Sequence, residues 1–74
     1  MTSYAVVIER ADDGGYGAWS PDLPGWVALA ATEEAVIAEM RQAITLHLAG
    51  LREDSQPTPQ PTTVAATVIT LDAA

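Results

Sequence analysis

Pro21-Asp22-Leu23-Pro24-Gly25-Trp26 decides how the rest of the chain is read. Proline fixes φ and lacks a backbone donor, so Pro21 and Pro24 suit a connection or a sheet edge but not the middle of a ladder. With Gly25 they stop one extended segment, turn the chain, and restart it on a large aromatic side chain. Immediately upstream, Tyr16-Gly17-Ala18-Trp19-Ser20 reads as a short strand, with Tyr16 and Ala18 facing opposite to Trp19. Further back, Tyr4 to Arg10 is rich in β-branched and aromatic residues and ends at the turn cluster Asp12-Asp13-Gly14-Gly15. Downstream, Trp26 to Ala30 gives a third strand, so three strands form an antiparallel meander.

Beyond the meander the period changes. Thr32 fits a helix N-cap, with Glu33 and Glu34 in the first turn where the helix dipole favours carboxylates. Val36, Met40, Ile44, His47 or Leu48, and Leu51 recur at helical spacing, which predicts a helix ending near Gly50 to Arg52. Residues 55–61 alternate proline with polar residues and read as a stiff extended connection. Val64 to Leu71 then has strand composition, and a right-handed crossover predicts that it lies parallel to the first strand. A disordered tail is the other reading of this end. The expected fold class is α+β, in the order β-β-β-α-β, with one helix packed on one face of the sheet. One helix leaves the other face, with Ala5, Val7 and Val27, as a candidate interface.

Composition narrows the function. The chain of 74 residues carries ten acidic side chains against Arg10, Arg41 and Arg52, a formal net charge of −7. Nucleic-acid binders gather Lys and Arg against phosphates, so DNA or RNA binding is not expected. A basic protein partner complements this charge, and simple solubility also accounts for it. A single domain of this size buries little core, and without cysteine it has no disulfide to reinforce it, so a homo-oligomer or a standing partner is expected. No long apolar run or secretory leader is read, which predicts a soluble cytoplasmic protein away from the membrane.

The residues offer little for catalysis. His47 lies in the apolar run Ile44 to Leu48, where packing is the expected role, and no glycine loop with a lysine is present to hold phosphate. Glu9, Asp12, Asp13, Asp22, Glu33 and Glu34 lie near loops and the helix start rather than mid-strand, where a nuclease metal site places its first ligand. No catalytic residue, metal or cofactor is therefore expected. Trp19 and Trp26 suit either a protein interface or a small core.

These stretches together resemble the HicB-like antitoxins. The resemblance rests on Tyr4 to Glu9, Gly15-Tyr16, the corner Pro21 to Gly25, Thr32-Glu33-Glu34, Arg41 to Ile44, His47 to Asp54 and the proline-spaced run to Pro61. It implies a partial, degraded ribonuclease H-like fold and a non-enzymatic role, neutralising a small basic HicA-like RNA-cleaving toxin. The chain departs from the family pattern at Trp26, often cysteine there, and at Ala30-Ala31 and Ala35. Many relatives also append an operator-binding domain. Here the whole chain reads as one HicB-like domain, so direct DNA binding is not expected. Exposure expected at the corner nominates Tyr16, Trp19, Asp22, Leu23 and Trp26 for partner contact. The alternatives are an orphan homo-oligomeric scaffold or small-ligand module, and a residual metal-dependent nuclease.

Overall fold

The computed structural model describes residues 2–72. Its elements are β1 (Val7–Arg10), β2 (Tyr16–Ser20), β3 (Leu23–Ala30) and α1 (Glu33–Glu53), with the strands in the order β1-β2-β3. Both pairings are antiparallel, as the meander reading predicts. The β1–β2 turn is closed by Ala11 and Gly15 and by the Gly15 N–H donating to Asp13 Oδ1 at 2.8 Å. Gly14 supplies the positive φ, +88°, that this turn requires.

The corner differs from the simple connection expected. Ser20 pairs with Leu23, so the turn itself is only Pro21 and Asp22, while Trp19 already pairs with Val27. Pro24, Gly25 and Trp26 are therefore extra residues bulged out of β3, with Gly25 at φ +87°. Proline supplies no ladder donor and glycine accepts the left-handed conformation, so these two residues suit the bulge better than a strand interior. The correction matters for Leu23. It belongs to the strand and is buried at 1% exposure, not displayed at the corner.

Register fixes two faces. Ile8, Ala18 and Ala28 form one cross-strand row, and Arg10, Tyr16 and Ala30 the next; both face α1. Val36 and Met40 descend from the helix onto Ala18 and Ala28, with Val6, Ile8, Tyr16, Ala30 and Ile44 around them. Small residues on the strands let the helix approach closely, and the larger helix side chains fill the space between.

Thr32 caps α1 as expected, its hydroxyl accepting from the Ala35 N–H at 3.1 Å. The helix runs to Glu53, slightly beyond the expected end. There Ser55 N–H donates to the Arg52 carbonyl and Gln56 N–H to the Leu51 carbonyl, a Schellman closure with Ser55 at φ 55°. Glycine favours that left-handed position and none occupies it, so the closure at Ser55 carried no glycine signal, although the end itself lies next to the expected one.

Residues 57–72 contain no helix or strand. The expected parallel fourth strand is not paired here, because Val64 to Leu71 lies against neither edge of the sheet. The proline-spaced segment does return to the body. Tyr4 donates its hydroxyl proton to the Pro59 carbonyl, and Thr62 and Thr63 reach Asp22. The radius of gyration is 14.3 Å, against about 11 Å for a compact domain of this length.

Candidate functional site

The alternation that sends Ile8, Ala18 and Ala28 into the core sends their neighbours to the opposite side. Val7, Trp19 and Val27 align across the three strands, and Glu9, Gly17 and Leu29 form the adjacent row. No helix covers these rows. Val27 and Leu29 are each 68% exposed and Trp19 40%. Gly17, between Glu9 and Leu29, adds no side chain, so the face has a shallow centre flanked by an indole and two aliphatic groups.

One polar contact organises this face. Trp19 Nε1–H donates to Glu9 Oε1 at 2.6 Å, which holds the indole beside the carboxylate across the β1–β2 pair. The charged acceptor strengthens the bond and fixes the ring. Together they offer a flat apolar surface with a negative group attached, an arrangement that accepts an apolar anchor flanked by a cation.

The nominated residues divide among different environments. Trp19 lies on the open face. Tyr16 is half-buried on the helix side, where its hydroxyl accepts from Arg10 Nη2 at 2.7 Å and the guanidinium lies 5.3 Å from the ring centroid. The same hydrogen bond raises the Arg10 pKa by favouring the cation. Trp26 emerges from the bulge toward α1 and packs on His47, with ring centroids 4.5 Å apart and planes tilted by 51°. That contact gives both residues a packing role and leaves Trp26 half-buried. Leu23 is enclosed and offers no contact surface.

Asp22 has a role that the sequence did not reveal. Oδ1 accepts from the Thr62 hydroxyl at 2.9 Å, and Oδ2 accepts from the Thr62 and Thr63 N–H groups at 3.2 and 3.0 Å. The Thr63 N–H, followed by the Thr62 hydroxyl, stabilises the carboxylate and lowers its pKa from the ordinary 3.8. Asp22 thus clamps the chain that follows the proline-rich segment. Its partners lie forty positions away in sequence, beyond any local turn signal.

Val7 and Val27 were legible as open-face residues from strand alternation; Glu9 and Leu29 were legible by the same parity once the register was known. A second feature lies at the outer edge of β1. Tyr4, Val6 and Ile8 on one side and Ile37, Met40 and Ile44 on the other line an open groove of about 510 Å³. Among the described residues, no three or more His, Asp or Glu side chains gather where they could hold a metal ion. No helix there is long and apolar enough to cross a membrane.

Residues 4–73 match the family described as HicB-like antitoxin of bacterial toxin-antitoxin systems. The chain is also 36% identical over 58 residues to UPF0150 protein ssr1765 of Synechocystis sp., covering 78% of this chain and 73% of that protein. No solved structure matches the chain significantly.

Proposed function

The chain belongs to the HicB-like antitoxin family, and from that premise we propose that it binds and neutralises a small basic HicA-like RNA-cleaving toxin by covering the toxin's active surface. The family match over residues 4–73 carries this reading. The uncovered sheet face supports it, since Trp19, Val27 and Leu29 supply apolar anchors and Glu9 an acidic neighbour. A net charge of −7 favours encounter with a basic partner and rejects acidic ones.

In this reading the chain acts by occlusion, without chemistry of its own, in the cytoplasm where the toxin meets RNA. Trp19 is the central contact, with Val7, Val27 and Leu29 around it. Tyr16, Asp22 and Trp26 stand at the margins, where their existing partners restrict them to rim contacts. Operator DNA is not a direct ligand of this chain, because three arginines against ten acids give no cationic surface for phosphates. The finer fold assignment, a partial ribonuclease H-like sheet completed by a strand parallel to β1, belongs to the same proposal. The open groove beside β1 is the place such a strand would occupy.

Titration of a small basic HicA-like protein, taken from a reading frame adjacent to this chain's, read by calorimetry and by cleavage of an RNA substrate, tests the function. Expected are tight binding that weakens with salt and a loss of cleavage at equivalence. A toxin that neither binds nor loses activity overturns the proposal and leaves the orphan-scaffold reading.

A further inference from the structure

The segment after the Asp22 clamp has the composition of a buried strand and the exposure of an unfolded one. Val64, Val68, Ile69 and Leu71 are 99%, 90%, 75% and 80% exposed. Val64 to Leu71 contains no charge, proline or glycine. In extended conformation Val64, Ala66 and Val68 share one side, while Ala65, Ile69 and Leu71 share the other, so both sides are apolar. Such a strand is suited to an interior position with cover on both faces. The whole chain exposes 5833 Å², against about 4,400 Å² for a folded monomer of this mass. The excess is on the order of the area that each partner buries in a standard interface.

The body of the molecule has a vacancy of matching kind. The outer edge of β1 is unpaired, and the groove beside it is lined by Val6, Ile8, Ile37, Met40 and Ile44. Eight extended residues span about 26 Å, and the edge from Tyr4 to Arg10 about 23 Å. The other sheet edge is a poor receiver, because β3 carries Pro24 and its bulge.

The path of the chain decides which copy's groove is filled. From Pro59, held by Tyr4 at the start of the β1 segment, the chain passes to Asp22 in the β2–β3 turn. Three hydrogen bonds at Asp22 therefore direct the arm across the sheet end and away from its own β1 edge. A basic partner is a poor match for a segment with no acidic side chain, whereas a second copy brings the same groove and the same arm. Each copy can give and receive, which closes the exchange with two-fold symmetry.

We propose that residues 64–71 of one copy add as a strand to the outer β1 edge of a second copy, setting apolar side chains into its groove against α1. The exchange supplies the fourth strand from the neighbouring molecule and leaves the Trp19 face free. It goes beyond the toxin-binding reading and does not depend on it, since no toxin enters the test.

Light scattering across a dilution series of the full chain, with Val68→Pro alongside, measures the exchange. Val68 is 90% exposed and lies outside the core cluster, so its substitution removes a ladder donor without disturbing the core. The expected result is a dimer that dissociates at least tenfold more readily in Val68→Pro, with unchanged helical circular dichroism. Isotope-filtered NMR on mixed labelled and unlabelled chains then locates the arm. Contacts between copies, joining Val68 or Ile69 methyls to Met40 or Ile44, are expected. Contacts only within one chain, a monomer at every concentration, or a dimer indifferent to Val68→Pro would each overturn the proposal.

Discussion

The two faces of one three-stranded sheet are both apolar, yet only one is a core. On the α1 side, Ala18 and Ala28 are nearly sealed by Val36 and Met40; on the other, Val27 and Leu29 stay 68% exposed. The strands alone do not explain the difference, since β1 and β3 place aliphatic residues on both sides, Val7 against Ile8 and Val27 and Leu29 against Ala28 and Ala30. Helix number explains it, because the 21 residues of α1 cover one face and, among the described residues, no second layer covers the other. At the covered positions of β2 and β3, Ala18 and Ala28 sit beneath Val36 and Met40 beside Ile8 and Tyr16, while Trp19, Val27 and Leu29 line the open rows.

Breaking the covered face has the largest expected effect. Met40→Ala leaves a hole beside Val36 and should cost about 2 to 5 kcal/mol, read as a shift in the urea midpoint. The open face should respond in the opposite pattern. Trp19→Ala is expected to change stability by less than Met40→Ala does and to weaken toxin binding by about 2 kcal/mol or more, measured by calorimetry. Should Trp19→Ala unfold the chain as severely as Met40→Ala, the two faces are not distinct. A smaller gain is expected at the helix end, where Ser55 holds φ 55°. Ser55→Gly should raise stability by about 1 kcal/mol in thermal unfolding, with both faces unchanged.

The smallest effect concerns the arm. The folded-state pKa of Asp22 is lowered, so its contribution is present above the unfolded aspartate value and is lost as pH falls through the folded one. Amide protection at Thr62 and Thr63 should therefore persist at pH 5 and above and decline below about pH 4. Asp22→Asn should weaken that protection at pH 5 and above and remove its pH dependence, while leaving the core amides of β2 and α1 protected.

Most of this fold was legible because its signals are local. The turn at Asp12 to Gly15, the Thr32 cap and the helical spacing of Val36, Met40 and Ile44 each act within a few residues. The corner was legible as a corner but not in its detail. Parity of Leu23 depends on whether the turn spans two residues or five, and only register settles that. The expectation that Leu23 faces a partner failed for this reason. The Asp22 clamp was invisible because its partners are distant in sequence. Val64 to Leu71 was readable as strand-forming, yet composition does not say which molecule supplies the neighbouring strand. In the candidate site, Val7 and Val27 followed from alternation, whereas Trp19 was nominated only from its place next to the corner. Trp26 did not follow from alternation, because its place against His47 follows from the bulge.

The central claim is that the helix-free sheet face is the one that meets the toxin. NMR of methyl-labelled chain, with the Trp19 indole signal followed alongside, tests it during toxin titration. Shifts are expected at Val7, Val27, Leu29 and the indole N–H, with Val36 and Ile44 unmoved. Shifts confined to the outer side of α1, at Ile37 and Leu46, with the Trp19 face unchanged, would contradict it.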